Sequence, residues 1–169
     1  MELWMGLLKL DPISDQELGR KLYPPIKAIL ENSRGDHKKC SELYDYLTRY
    51  QNPFDPFNLI EKMDAGICLF EPPGRFVYVN DKTVEALGYE RHELLGNSWY
   101  NFIHADYKHI IVENRDIVFR FKRFNWLKVL ATGKHGRLCR IRTKGKLLML
   151  DGTPCVLAIQ LWEHYFHDG

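Results

Sequence analysis

The residues best suited to chemistry are four cysteines (Cys40, Cys68, Cys139, Cys155), seven histidines and a cationic run laced with aromatic side chains. No two cysteines stand as C-x-x-C, so their spacing gives no support to a metal or redox site. Nucleophilic catalysis needs a base held beside the nucleophile. The chain has no G-x-S-x-G, no H-E-x-x-H and no glycine-rich phosphate loop. Cys68 sits in an apolar run, where burial raises a thiol's pKa and leaves it inert. The carboxylates are scattered, with no pair placed for acid–base work. No catalytic and no metal-ligating residue is assigned, and an enzyme is not expected.

Charge is distributed unevenly. Residues 115–146 carry eleven Lys or Arg against the single acid Asp116, a local balance of +10, so the rest of this +2 chain carries −8. Within that stretch Phe119-Arg120-Phe121-Lys122-Arg123-Phe124-Asn125-Trp126 interleaves aromatics with cations, as single-strand binders do. At about 100° per residue, however, these aromatics spread round a helix instead of forming one platform. The favoured reading packs the aromatics inward and lets the cations snorkel along the surface. Arg120, Lys122 and Arg123 then become candidates for contact with an acidic protein partner. Nucleic-acid binding through residues 115–146 is the less favoured alternative.

Several elements must position these groups. Residues 67–70 and 76–79 are short β-branched and aromatic runs on either side of Pro72-Pro73-Gly74, which predicts a hairpin. Asn80 and Asp81 offer short acceptors before a helix over residues 83–87, stopped by Gly88, and a second short helix covers residues 90–95. Ahead of the hairpin, Leu3, Leu7 and Leu8 fit a helical stripe, and Ser14 with Glu17 could cap a helix running through Leu22. Pro24-Pro25 breaks that helix or starts the next. Leu43, Tyr46, Leu47 and Tyr50 recur at helical spacing, and Pro53 and Pro56 close that segment. Such a stripe pads a sheet face, forms a dimer contact, or does both.

After the hairpin, a long helix is expected from Tyr107, capped by Asp106, toward Leu130, with a break near residues 114–116 and Gly133 as its stop. The remainder reads as strands 137–143, 146–150 and 155–166, with turns at Lys144-Gly145 and Asp151-Gly152. A rival threading takes residues 136–150 as one long strand. The first is preferred because the second leaves a sheet edge open to pairing with another chain.

The series GRFVYVN, ALGYERHELLGNSW and Ile103-His104-Ala105-Asp106 resembles the PAS domain family over roughly residues 64–115. The resemblance implies an α+β fold: a five-stranded antiparallel sheet with helices on one face, here preceded by an N-terminal helical extension. The expected division is residues 1–62 for the extension and 63–169 for the PAS-like domain. It further implies a sensory or protein-interaction module with a small apolar cavity between sheet and helices. Ile67, Leu69, Val77, Val79, Val84, Leu87, Phe102, Ile103, Ile110 and Ile159 are the candidates to line it, although strand parity alone does not fix which face inward. Side chains that filled the cavity would leave a purely protein-binding domain.

Members that form a flavin–cysteinyl adduct need a cysteine in the segment matching residues 96–101, and there is none, so that chemistry is not expected. Non-covalent flavin stays open. Haem-binding members take an axial histidine from the long helix, which makes His109 the candidate ligand. The favoured expectation is no cofactor, with a haem- or flavin-binding sensor as the alternative.

The length suits about one domain, and no apolar run approaches the ~20 residues of a membrane span. The opening residues lack the basic start of a signal peptide, so reduced thiols and a cytoplasmic setting are expected. No kinase, cyclase or DNA-binding segment is read after the PAS-like segment, so either the output is expected to pass to a separate signalling protein or the chain is a piece of a longer one. A homodimer held by Leu43, Tyr46, Leu47 and Tyr50 is also expected.

Overall fold

The computed structural model describes residues 4–5, 13–49 and 55–167, with side chains to residue 163. Three helices come first: α1 (Asp15–Asn32), α2 (Lys38–Thr48) and α3 (Pro56–Glu61). The hairpin β1 (Gly66–Glu71) and β2 (Arg75–Val79) follows, then α4 (Asp81–Leu87), α5 (Arg91–Leu94) and α6 (Lys108–Phe121). The chain closes with β3 (Arg123–Thr132), β4 (Arg137–Leu150) and β5 (Thr153–His167). All five strands form one sheet in the order β2-β1-β5-β4-β3, antiparallel throughout.

The sheet has a core on each face. On one side α4–α6 and the preceding turns cover Cys68, Phe70, Phe76, Val79, Ile141 and Ala158. On the other, α1–α3 cover Ile67, Leu69, Val77, Leu157 and Ile159. The extension therefore pads the sheet. Leu43 and Leu47 of α2 are buried, and the Tyr46 hydroxyl donates to the Leu59 carbonyl at 2.8 Å. Leu43, Tyr46 and Leu47 thus take part in internal packing, and Tyr50 lies outside the described residues, as do Leu3, Leu7, Leu8 and Pro53.

Ser14 caps α1 as expected, its hydroxyl accepting from the Glu17 N–H at 3.1 Å. The helix then runs on through Pro24 and Pro25. Leu22, Ile26, Ile29 and Leu30, which straddle the pair, are all buried. At ~1.5–3 kcal/mol each, they offset the ~3 kcal/mol that each interior proline costs. Gly19 allows α1 to cross α3 closely: a Cβ there would stand 2.5 Å from the Phe57 nitrogen.

Three expectations fail in the second half. The long helix ends at Phe121, where Lys122 adopts a left-handed conformation (φ 66°), and residues 123–132 form a strand. Neither glycine nor proline marks this change. The start differs too: His104 accepts from the Asp106 N–H at 3.2 Å and caps a 3-10 turn, so α6 begins one residue later, at Lys108. Lys144-Gly145 is not a turn but the middle of β4. Gly145 is required there because the Phe124 ring of β3 packs across it, 2.6 Å from where a Cβ would stand. The rival threading, one strand through residue 150, is the correct one, and β3 supplies the fifth strand that it lacked.

Candidate functional site

Asn80, at the junction of β2 and α4, is fully buried and fastens four segments. Its Oδ1 accepts from the Ile67 N–H at 2.9 Å and caps α4 through the N–H and hydroxyl of Thr83. Its Nδ2 donates to the carbonyls of Ile60 and Ala65 at 3.0 and 2.8 Å. Beside it, Glu61 from α3 accepts from the Tyr78 hydroxyl at 2.7 Å and pairs with Arg91 at 3.2 Å, while Arg91 also pairs with Asp81 at 2.8 Å. Burial, helped by the neighbouring Asp81 carboxylate, pushes Glu61 up to about 7. These contacts bind the extension to the α4–α5 region.

Between α6 and the sheet lies a small pocket of about 80 Å³, partly open to solvent. Phe124, Leu127, Thr143, Val156, Ala158 and Gln160 of β3–β5 form its floor. Ile111, Asn114, Arg115, Val118 and Phe119 of α6 form its roof, and the β1–β2 turn with Ser98, Trp99 and Tyr100 forms its rim. Val118 is the only fully buried residue of α6, whereas Val112, Ile117, Phe119 and Phe121 are exposed. The roof is therefore lightly seated.

The floor carries polar groups in apolar surroundings. Gln160 and Thr143 are register partners across β4 and β5, hence on the same face. Both are buried, and neither Gln160 Nε2 nor Thr143 Oγ1 has a hydrogen-bond partner among the described residues. Gln160 Oε1 is engaged by Cys68 Sγ at 3.5 Å. Burial pushes the Cys68 thiol up to about 12, which makes it an inert donor.

None of the ten apolar residues expected from sequence lines this pocket. Ile67, Leu69, Val77 and Ile159 belong to the core under α1–α3, on the opposite face. An irregularity in the β1–β2 register places Val77 and Tyr78 on the same side, which alternation along β2 does not foretell. Val79, Leu87, Phe102 and Ile103 fill the core beside the pocket, with Val84 and Ile110 packed against it. The available signal was Gln160 itself, a polar side chain in the apolar run of residues 155–162. His109 is exposed, and neither histidine nor cysteine lines the pocket, so the haem reading does not fit this geometry.

Arg120, Lys122 and Arg123 are exposed at the end of α6. The aromatics of that stretch divide between elements. Phe119 and Phe121 stand exposed on the helix, contrary to the inward packing expected, whereas Phe124 and Trp126 are half-buried on β3. They form no single stacking surface.

A five-stranded antiparallel sheet in this order, covered by short helices and one longer helix, is the architecture of a small sensory domain. Residues 55–152 match the family model of the PAS fold. The chain belongs to the PAS family, whose members are in general sensory, non-catalytic modules. The fold resembles the PAS domain of an HTR-like protein from Haloarcula marismortui (TM-score 0.56, 21% identity, 62% of this chain and 86% of that one). It also resembles a domain of a sensory box sensor histidine kinase/response regulator from Geobacter sulfurreducens (TM-score 0.53, 20% identity, 61% and 87%). A third likeness is to the Drosophila melanogaster Cycle PAS-B domain with bound ethylene glycol (TM-score 0.52, 13% identity, 58% and 99%). No curated protein matches the sequence. Among the described residues no helix is long and apolar enough to cross a membrane.

Proposed function

We propose that this chain is a sensory module that takes a small, largely apolar molecule into the pocket beneath α6 and passes its occupancy to a separate signalling protein. The observation that carries this reading is the pocket itself: it is mostly apolar, partly open, and roofed by a helix with one fully buried side chain. A molecule that fills it changes how α6 sits on the sheet. The outer side of the same helix presents Val112, Ile117 and Phe121, next to Arg120, Lys122 and Arg123. Ligand and output surface thus share one element, and the cations favour an acidic partner.

Trp99 lines the pocket, so its fluorescence reports occupancy. Titration with small apolar compounds should change that emission saturably and raise the Tm. Ala158→Phe, which fills the floor, should abolish both effects. Saturable binding that ignores Ala158→Phe, or no binding at all, overturns the reading. For the output arm, joint reversal of Arg120, Lys122 and Arg123 to Glu should weaken contact with an acidic partner, as should added salt. Contact indifferent to both returns these residues to an ordinary solvated surface.

A further inference from the structure

We propose that the pocket selects a compound bearing a hydrogen-bond-accepting oxygen, a carbonyl on an apolar ring or short chain, and holds that oxygen between Gln160 Nε2 and Thr143 Oγ1. The inference rests on the reading of this pocket as a ligand site and specifies its chemistry. The two groups face each other across β4 and β5, both are more than nine-tenths buried, and both lack a partner among the described residues. An amide NH₂ only donates, and a hydroxyl donates or accepts; the group that satisfies both at once is an acceptor oxygen.

The Oε1 end of the Gln160 amide faces Cys68 Sγ at 3.5 Å, so the NH₂ end is turned away from it. Phe70, Trp99, Val118, Phe124 and Leu127 supply apolar walls for the rest of the molecule. A pure hydrocarbon would leave Gln160 and Thr143 unpaired. Sites with buried donors reject analogues that leave those donors unpaired. The charge at the pocket is also one-sided. Glu71 is tied to Arg75, whereas Arg115 has no ion-pair partner among the described residues. A cationic ligand is disfavoured.

Calorimetric titration with three probes of one shape tests this: indane, 1-indanone and protonated 1-aminoindane. The expected result is that 1-indanone binds about tenfold or more tightly than indane, and that 1-aminoindane binds most weakly. Thr143→Val and Gln160→Leu, near-isosteric changes that remove the polar groups, should each reduce the ketone preference while indane still binds. Retained indane binding certifies a folded pocket in either variant. Equal affinity for indane and 1-indanone in the unaltered protein overturns the inference and leaves the pocket reading standing. So does 1-aminoindane binding as well as the ketone, or a ketone preference that survives both substitutions. If none of the three binds, the pocket reading itself falls.

Discussion

Glu61 is protonated more readily in the folded protein than in the unfolded chain, and this makes stability fall as pH rises. Below about pH 4.5 the carboxyl holds its proton in both states and contributes no difference. Between about 4.5 and 7 the native state keeps a proton that the unfolded chain has released, because burial and the Asp81 carboxylate raise the folded value to about 7. The stabilisation present at the acidic end is therefore lost as pH climbs through 7. With ~1.4 kcal/mol per pKa unit, linkage gives a loss of ~2.5 kcal/mol between about pH 5 and about pH 8. Glu61→Gln removes the titration while keeping an amide oxygen for the Tyr78 hydroxyl and Arg91. Urea unfolding of both proteins across this range isolates the effect, since the two differ at this side chain alone. The stability of the parent relative to Glu61→Gln should decline by that amount toward alkaline pH. A difference that is flat, or that grows with pH, would refute the reasoning.

The other predictions concern packing. Asn80→Ala removes a hydrogen-bond partner from the backbone groups of Ile60, Ala65 and Ile67 and should cost about 3 kcal/mol or more in chemical unfolding. Gly145→Ala forces the Phe124 ring or the Leu157 carbonyl to move, each 2.6 Å from the new methyl. It should lower stability by about 1–3 kcal/mol, read as a fall in Tm. Deleting residues 1–50 uncovers Ile67, Leu69, Val77 and Ile159, and light scattering should show aggregation; a monodisperse folded product would refute the padding role.

The first half of the PAS-like region was legible because its signals are local. A proline–glycine reversal, an asparagine at a strand-to-helix junction and Gly88 at a helix end each act within a few residues. Asn80 and Gly88 do what their types suggest: the one caps α4, and the other ends it at φ 76°. From residue 114 onward the determinants are long-range. The end of α6 and the start of β3 are set by pairing with β4, with Arg123 opposite Lys146 and Val129 opposite Ile141. Gly145 reads as a turn residue until the ring that needs its empty side is in place. The pocket was missed for a related reason. The apolar residues of the sequence mark what packs solidly, whereas the space itself is marked by two polar side chains that become neighbours only when β4 and β5 are in register.

The treatment of the two sheet edges bears on how the molecule behaves when concentrated. The outer side of β2 is occupied along its length: Phe76 exchanges backbone bonds with Gly96 and Asn97, and the Val77 carbonyl accepts from Met5. The far end of β3 is shielded by His104, whose N–H donates to the Leu130 carbonyl at 2.8 Å. Among the described residues, no backbone bond of this kind covers residues 123–128. There the ladder carries an irregularity between Phe124 and Leu127, and the Trp126 N–H is bonded to the Asn125 side chain at 2.9 Å. Arg123 and Lys128 place positive charge along the same segment. A second molecule docking strand to strand would meet a misfitted register, a missing donor and like charge. Strand-to-strand association through the sheet is thereby disfavoured at both edges.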